Sequence, residues 1–280
     1  MAVQLAQHFQ TEIISADSRQ CFRELNIGVA KPTDEDLQSV HHHFINSHSI
    51  HDEVNAAVFE QYALKAVQQI FAKKNVAVMV GGTGLYIKAF CEGLDEIPPV
   101  DEHVRQQLMD QYKAYGIAYL QNQLAEKDPA FWQQAEQQNP QRLMRALEVL
   151  LSAGRSITTF QKGEKEKRDF NILKIGLQLS REQLYNQINS RVDIMIKNGL
   201  VEEVENLQSC KNLNALQTVG YKEIFNHLES KSTLVEAIEK IKLTTRHYAK
   251  RQMTWFTKDK DINWLNAGKE DNLQQAINLL

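Results

Sequence analysis

Apolar residues recur at helical spacing at the start of the chain: Val3, Leu5, Ala6 and Phe9 with no breaker between them. The pattern then changes. Thr11-Glu12-Ile13-Ile14-Ser15-Ala16 is a short β-branched run closed by the polar Asp17-Ser18-Arg19-Gln20, which predicts a buried parallel strand with polar residues at its carboxyl end. Residues 54–74 return to helical spacing, with Ala57, Val58, Tyr62, Leu64, Ala66, Val67 and Ile70 preceding the stop Lys73-Lys74-Asn75. Next come Val76-Ala77-Val78-Met79-Val80, five apolar residues in a row, and then Gly81-Gly82-Thr83-Gly84-Leu85-Tyr86. Helix, strand, helix, strand and a glycine turn into another helix is the order of a doubly wound α/β sheet.

After Pro98-Pro99 the texture is different. Residues 101–154 are rich in Gln, Ala and Leu, hold no strand-like run, and contain Asp128-Pro129 and Asn139-Pro140, each an N-cap followed by proline in the first turn. This predicts an all-helical insertion of three or four helices. The sheet resumes at 172–179, Ser180 with Gln183 opens the next helix as a capping box, 232–257 is a long helix, and 262–265 is a last short strand. The expected organisation is an α/β core over 1–98 and 155–280, interrupted by a helical domain over 99–154.

Composition narrows the class. With 280 residues, 42% hydrophobic and 24% charged, the chain can bury a sizeable core. No run approaches the roughly 18 apolar residues that span a bilayer. The first residues lack a basic n-region and a cleavage site, and Cys21, Cys91 and Cys210 form no Cys-x-x-Cys pair. A soluble cytoplasmic protein with no membrane contact is expected. Charge is uneven along the chain: 1–140 hold 10 Lys/Arg against 18 Asp/Glu, 141–280 hold 22 against 17. Residues 240–260 alone carry seven bases and one acid. A polyanion partner and a solvated helix face both accommodate that run.

Ligands of open α/β sheets bind at the carboxyl ends of strands. Asp17-Ser18-Arg19-Gln20 and Gly81-Gly82-Thr83-Gly84 both fall there. An aspartate at a strand end accepts a proton or an amine hydrogen bond, or it caps the next element. A glycine turn admits a close ligand and leaves amides free, or it is purely geometric. His41-His42-His43 looks metal-like, but three consecutive residues of regular structure cannot all face one ion, so no metal site is expected there.

Six stretches, in order over nearly the whole chain, resemble the successive signatures of the tRNA dimethylallyltransferases: 14–20 (ISADSRQ), 28–32 (GVAKP), 80–86 (VGGTGLY), 140–148 (PQRLMRALE), 219–223 (VGYKE) and 245–252 (TRHYAKRQ). The resemblance implies a P-loop-NTPase-like parallel sheet flanked by helices. It implies transfer of a dimethylallyl group from dimethylallyl diphosphate to N6 of the adenosine 3′ to the anticodon (position 37), with Mg²⁺ as cofactor. The base is taken out of its stack for this chemistry. The expected partners are the tRNA anticodon stem-loop and the diphosphate, acting on a monomer.

Carried over residue by residue, Asp17 matches the general base and Arg191 an arginine on the diphosphate, where a planar guanidinium suits two phosphate oxygens. Arg246 and Lys250, at i and i+4 on one helix, join Arg191 as expected phosphate contacts. The expected tRNA contacts are Asp17, Ser18, Arg19, Gln20 and Thr83, then Arg105, then Gln141, Arg142, Leu143, Met144 and Arg145. Gln217, Thr218, Val219, Gly220, Tyr221 and Lys222 complete the set. In one respect the sequence departs from the family. The usual opening strand and Gly-x-x-x-x-Gly-Lys-Ser/Thr loop are not seen before Ala2-Val3-Gln4-Leu5-Ala6, so the hydroxyl that holds Mg²⁺ is expected to be missing. A catalytically impaired tRNA-binding paralogue or fragment is the alternative expectation.

Overall fold

A seven-residue helix, α1 (Ala2–His8), leads into β1 (Ile13–Ala16), whose four residues are all buried. The β-branched pair Ile13 and Ile14 is sealed on both faces, as a central parallel strand requires. α2 (Asp34–Ser39) starts at a capping box between Thr33 and Asp36, and β2 (His42–His43) follows. α3 (Ala56–Phe71) is opened by Asn55, whose side chain accepts from the amides of Ala57 and Val58. Its Phe59, Ala63, Ala66, Val67 and Ile70 form the buried stripe that the spacing predicts. β3 (Val78–Gly81) and α4 (Gly84–Glu92) complete this run, and the strands lie parallel in the order β2-β1-β3. The computed structural model describes residues 1–163, 165–269 and 271–280.

The chain divides into two compact units, Met1–Glu92 with Arg168–Leu280, and Gly93–Lys167. The second unit is helical: α5 (Glu102–Tyr115), α6 (Ile117–Lys127), α7 (Pro129–Gln134) and α8 (Pro140–Ala153). The Asp128 and Asn139 side chains cap α7 and α8, each with proline at the first helical position. Its core gathers Leu108, Leu120, Leu124, Leu143 and Leu147. The expected span 99–154 lies inside this unit.

The first unit resumes with β4 (Lys174–Gln178), α9 (Arg181–Lys197), α10 (Leu200–Asn206), α11 (Tyr221–Leu228), α12 (Leu234–Phe256), β5 (Ile262–Asn266) and α13 (Asn272–Ile277). The Ser180–Gln183 capping box opens α9 as expected. β4 and β5 pair in parallel with each other, and among the described residues they form a ladder separate from β2-β1-β3. The parallel strands are thus spread over two sheets. Val80 on β3 and Leu177 on β4 are exposed at 41% and 45%. The main core packs Phe44, Phe59, Tyr86, Tyr221, Ile224 and Leu200 beneath the strands, with Phe59 and Tyr86 stacked 4.6 Å apart.

Candidate active site

β1 delivers Asp17 just past its carboxyl end, and backbone geometry holds it there. Its Oδ1 accepts from the amides of Arg19 (2.8 Å) and Gln20 (3.2 Å), which curls the Asp17-Ser18-Arg19-Gln20 segment into a tight turn. Among the described residues Oδ2 has no hydrogen bond, so one carboxylate oxygen is anchored and the other is open. The glycine turn stands alongside. Thr83 Oγ1 accepts from the Ser18 amide at 3.1 Å, and the Thr83 amide donates to the Ala16 carbonyl at 3.2 Å. Asp17, Ser18 and Thr83 therefore come together.

Helix α12 covers the turn from the far end of the chain. Gln252 Nε2 donates to the Gly82 carbonyl at 2.9 Å. A Cβ at Gly82 would lie 2.0 Å from Gln252 Nε2, and one at Gly84 2.4 Å from Trp255 Nε1. Those glycines let the helix approach. Tyr248 lies one turn before Gln252 on the same helix; burial, and after it the Asp17 charge, pushes its phenol up.

Arg191, on α9, lines an open cleft of about 700 Å³ with Lys31, Asn26, Asn186 and Ser190. Lys31 donates to the Phe22 carbonyl and to Asn46 Oδ1, and burial lowers its pKa. Asp17 is not among the residues lining this cleft. The two are linked through Gln20, whose Nε2 donates to the carbonyls of Val29 (3.3 Å) and Ala30 (3.0 Å) at the cleft's border. A second cleft of about 540 Å³ shares Ala30 and Pro32 with the first and adds Ser15, Gln20 and Val80. Arg246 lies between α12 and α9: it donates to Asn189 Oδ1 at 2.6 Å, and its guanidinium sits 5.2 Å from the Tyr185 ring centre. Its buried Nε has no partner among the described residues. Lys250 is exposed one turn further on.

The loop over residues 26–32 is held by a residue that sequence reading missed. Glu203 accepts from the amides of Ile27 (2.7 Å) and Gly28 (3.1 Å) and from the Tyr221 hydroxyl (2.5 Å). Tyr221 is fully buried against Gly28, so its side chain belongs to the core. Gly220 is also buried, and its amide donates to Glu223. Thr218 and Val219 are half-buried, while Gln217 and Lys222 are exposed.

The model of the family described as IPP transferase matches residues 20–259. The chain belongs to that family. A tRNA dimethylallyltransferase of Christiangramia forsetii is 47% identical over 283 residues, covering 99% of this chain and 94% of the relative. The tRNA dimethylallyltransferase 1 of Bacteroides thetaiotaomicron is 40% identical, over 100% and 91%. Among solved structures, the tRNA isopentenylpyrophosphate transferase of Bacillus halodurans matches with a TM-score of 0.71 at 32% identity, covering 99% of this chain and 89% of that one. A eukaryotic dimethylallyltransferase crystallised acting on tRNA gives 0.79 at 25% identity, covering 99% and 73%.

In this IPP transferase the remaining expected RNA contacts lie in the helical unit. Arg105 on α5 and Arg145 on α8 converge on one carboxylate, Glu148, at 3.4 and 3.5 Å. Glu148 is 4% exposed, and no spacing in the sequence marked it. Arg142 pairs with Glu136 at 3.0 Å, and Gln141 is exposed beside it. Leu143 is fully buried, and its side chain fills the helical core, as helix periodicity requires of one residue in that run. Met144 packs half-buried against the same core.

Proposed function

We propose that this IPP transferase moves the dimethylallyl group of dimethylallyl diphosphate to N6 of the adenosine 3′ to the anticodon, position 37, of tRNA. The observation that supports this reading is Asp17 at the end of β1, with Oδ1 fixed by two amides, Oδ2 without a hydrogen bond among the described residues, and the next residue's amide bonded to the Thr83 hydroxyl. An exocyclic amine is a poor nucleophile until a base takes its proton. N6 attacks the allylic C1, the C1–O bond breaks, the electron pair leaves with the diphosphate, and the N6 proton passes to Asp17 Oδ2. Arg191, Arg246 and Lys250 are the cations assigned to the phosphates, where stabilising a developing anion is the larger part of catalysis.

Mg²⁺ fits as a companion of the substrate. Around Asp17 the chain offers one open carboxylate oxygen and the Ser18 and Thr83 hydroxyls, the sparse donor set of an ion carried mainly by phosphate oxygens and water. Bound there, it would offset charge on the leaving diphosphate. The exposed members of the expected RNA-contact set, Gln141, Arg142, Gln217 and Lys222, together with the half-buried Arg19, Arg105 and Arg145, are assigned to the anticodon stem-loop. The enzyme is taken to act as a cytoplasmic monomer.

The test is transfer of labelled dimethylallyl from its diphosphate to an anticodon stem-loop and, separately, to AMP. Label is expected on the stem-loop only. Asp17→Asn keeps an oxygen for the two amides and loses basicity, so transfer is expected to fall by about 10²–10⁴-fold with stem-loop binding retained. Wild-type transfer in that variant, or label on AMP and none on RNA, overturns the reading. Stem-loop binding without any transfer by the unaltered chain would favour the RNA-binding paralogue instead.

A further inference from the structure

At the opposite end of β1 from Asp17 the fold assembles a cluster the reaction does not use. The parallel register pairs Ile13 with His42 and Ile14 with His43, and the Ile13 amide donates to the His41 carbonyl at 2.9 Å. Side chains alternate faces along a strand, so His41 and His43 lie on one side and His42 on the other. Glu12, the residue before β1, is level with His41 and shares its face. The side chains meet accordingly. His43 Nε2 is 2.6 Å from Glu12 Oε2, and the His41 and His43 rings stand edge to face with centroids 4.5 Å apart. One ligand atom from each of Glu12, His41 and His43 lies within 4.8 Å of the others. His42 is turned away, with Nδ1 2.8 Å from the Val40 carbonyl.

We propose that Glu12, His41 and His43 form a binding site for one divalent transition-metal ion, with water completing its coordination. Expected bond lengths of about 2.0–2.2 Å put donor atoms roughly 3–3.5 Å apart, so small rotations of the two rings close the present cluster on an ion. Two imidazoles and a carboxylate select Zn²⁺, Ni²⁺ or Cu²⁺; Mg²⁺ prefers an all-oxygen shell, which separates this site chemically from the ion of the transfer reaction. The ion does not touch the reacting atoms, because five residues of extended chain from Glu12 to Asp17 span about 16 Å. Its role is structural. It ties the two-residue edge strand β2 to β1 through side chains, where the backbone ladder is shortest.

The sequence argument that three consecutive histidines cannot share an ion holds for all three. Alternation leaves two on one face, and the neighbouring strand supplies the third ligand. A histidine–glutamate ion pair alone accounts for Glu12 and His43 and gives His41 no part. Calorimetric titration with ZnCl₂, together with thermal melts, separates the two. The unaltered protein is expected to bind Zn²⁺ at one site that His41→Ala, His43→Ala and Glu12→Gln each weaken by about tenfold or more. His42→Ala keeps it, and Zn²⁺ raises Tm only in proteins that bind. Circular dichroism before titration establishes that each variant is folded, and the visible bands of Co²⁺ report the ligand set directly. No Zn²⁺ binding by the unaltered protein, undiminished binding by His41→Ala, or a loss in His42→Ala equal to that in His43→Ala overturns the proposal.

Discussion

Gly28 shows how a single missing side chain is dictated by a distant residue. A Cβ there would sit 2.5 Å from Cε2 of Tyr221, whose ring is fully buried and whose hydroxyl is tied to Glu203. The ring has nowhere to go. Gly28→Ala is expected to destabilise the protein by about 1–3 kcal/mol through overpacking, seen as a lower urea midpoint. Tyr221→Phe keeps the ring and leaves Glu203 its two backbone donors, so it is expected to cost about 1 kcal/mol. Both residues stood out in the sequence as parts of separate motifs. Their contact did not, because the Gly28–Glu203 bond of the same clamp spans 175 positions and no local pattern encodes it. Asp17 was legible for the opposite reason: it is placed by its own strand and by the two amides that follow it.

Among the elements, those with end signals were readable. Asp128, Asn139 and Ser180 each cap the helix they announce. β2 left no trace, since two histidines make no period. Helices α5 and α8 show what periodicity leaves out. A buried Glu148 joins them by facing Arg105 and Arg145, both 42% exposed. Glu148→Gln keeps the shape and removes the charge that two guanidiniums share. The expected loss is about 1–3 kcal/mol, below the ~3–5 of a fully buried pair because solvent screens the arginines. Thermal unfolding of the variant measures it, and an unchanged Tm would mean that the pairs contribute nothing.

At the scale of the whole molecule, charge becomes the main variable. Arg142 and Arg145 are held by Glu136 and Glu148 in the absence of RNA, and their assignment to the stem-loop requires that phosphates outcompete those partners. For the Arg142→Ala/Arg145→Ala double variant, the slope of log affinity against log salt is expected to become shallower by about 1–2 units, by fluorescence anisotropy. An unchanged slope would leave both arginines as fasteners of the helical unit.

One contact ties the beginning of this enzyme to its end. The bond from Gln252 to the Gly82 carbonyl joins positions 170 apart, and Trp255 closes over Gly84 from the same helix. Loop closure over such a distance comes late, after local elements have formed. During synthesis the early strands and the aspartate emerge long before the segment that roofs them, since chains fold from the amino end as they are made. A nascent polypeptide released before Gln252 and Trp255 would therefore carry Asp17 and its glycine turn without their cover.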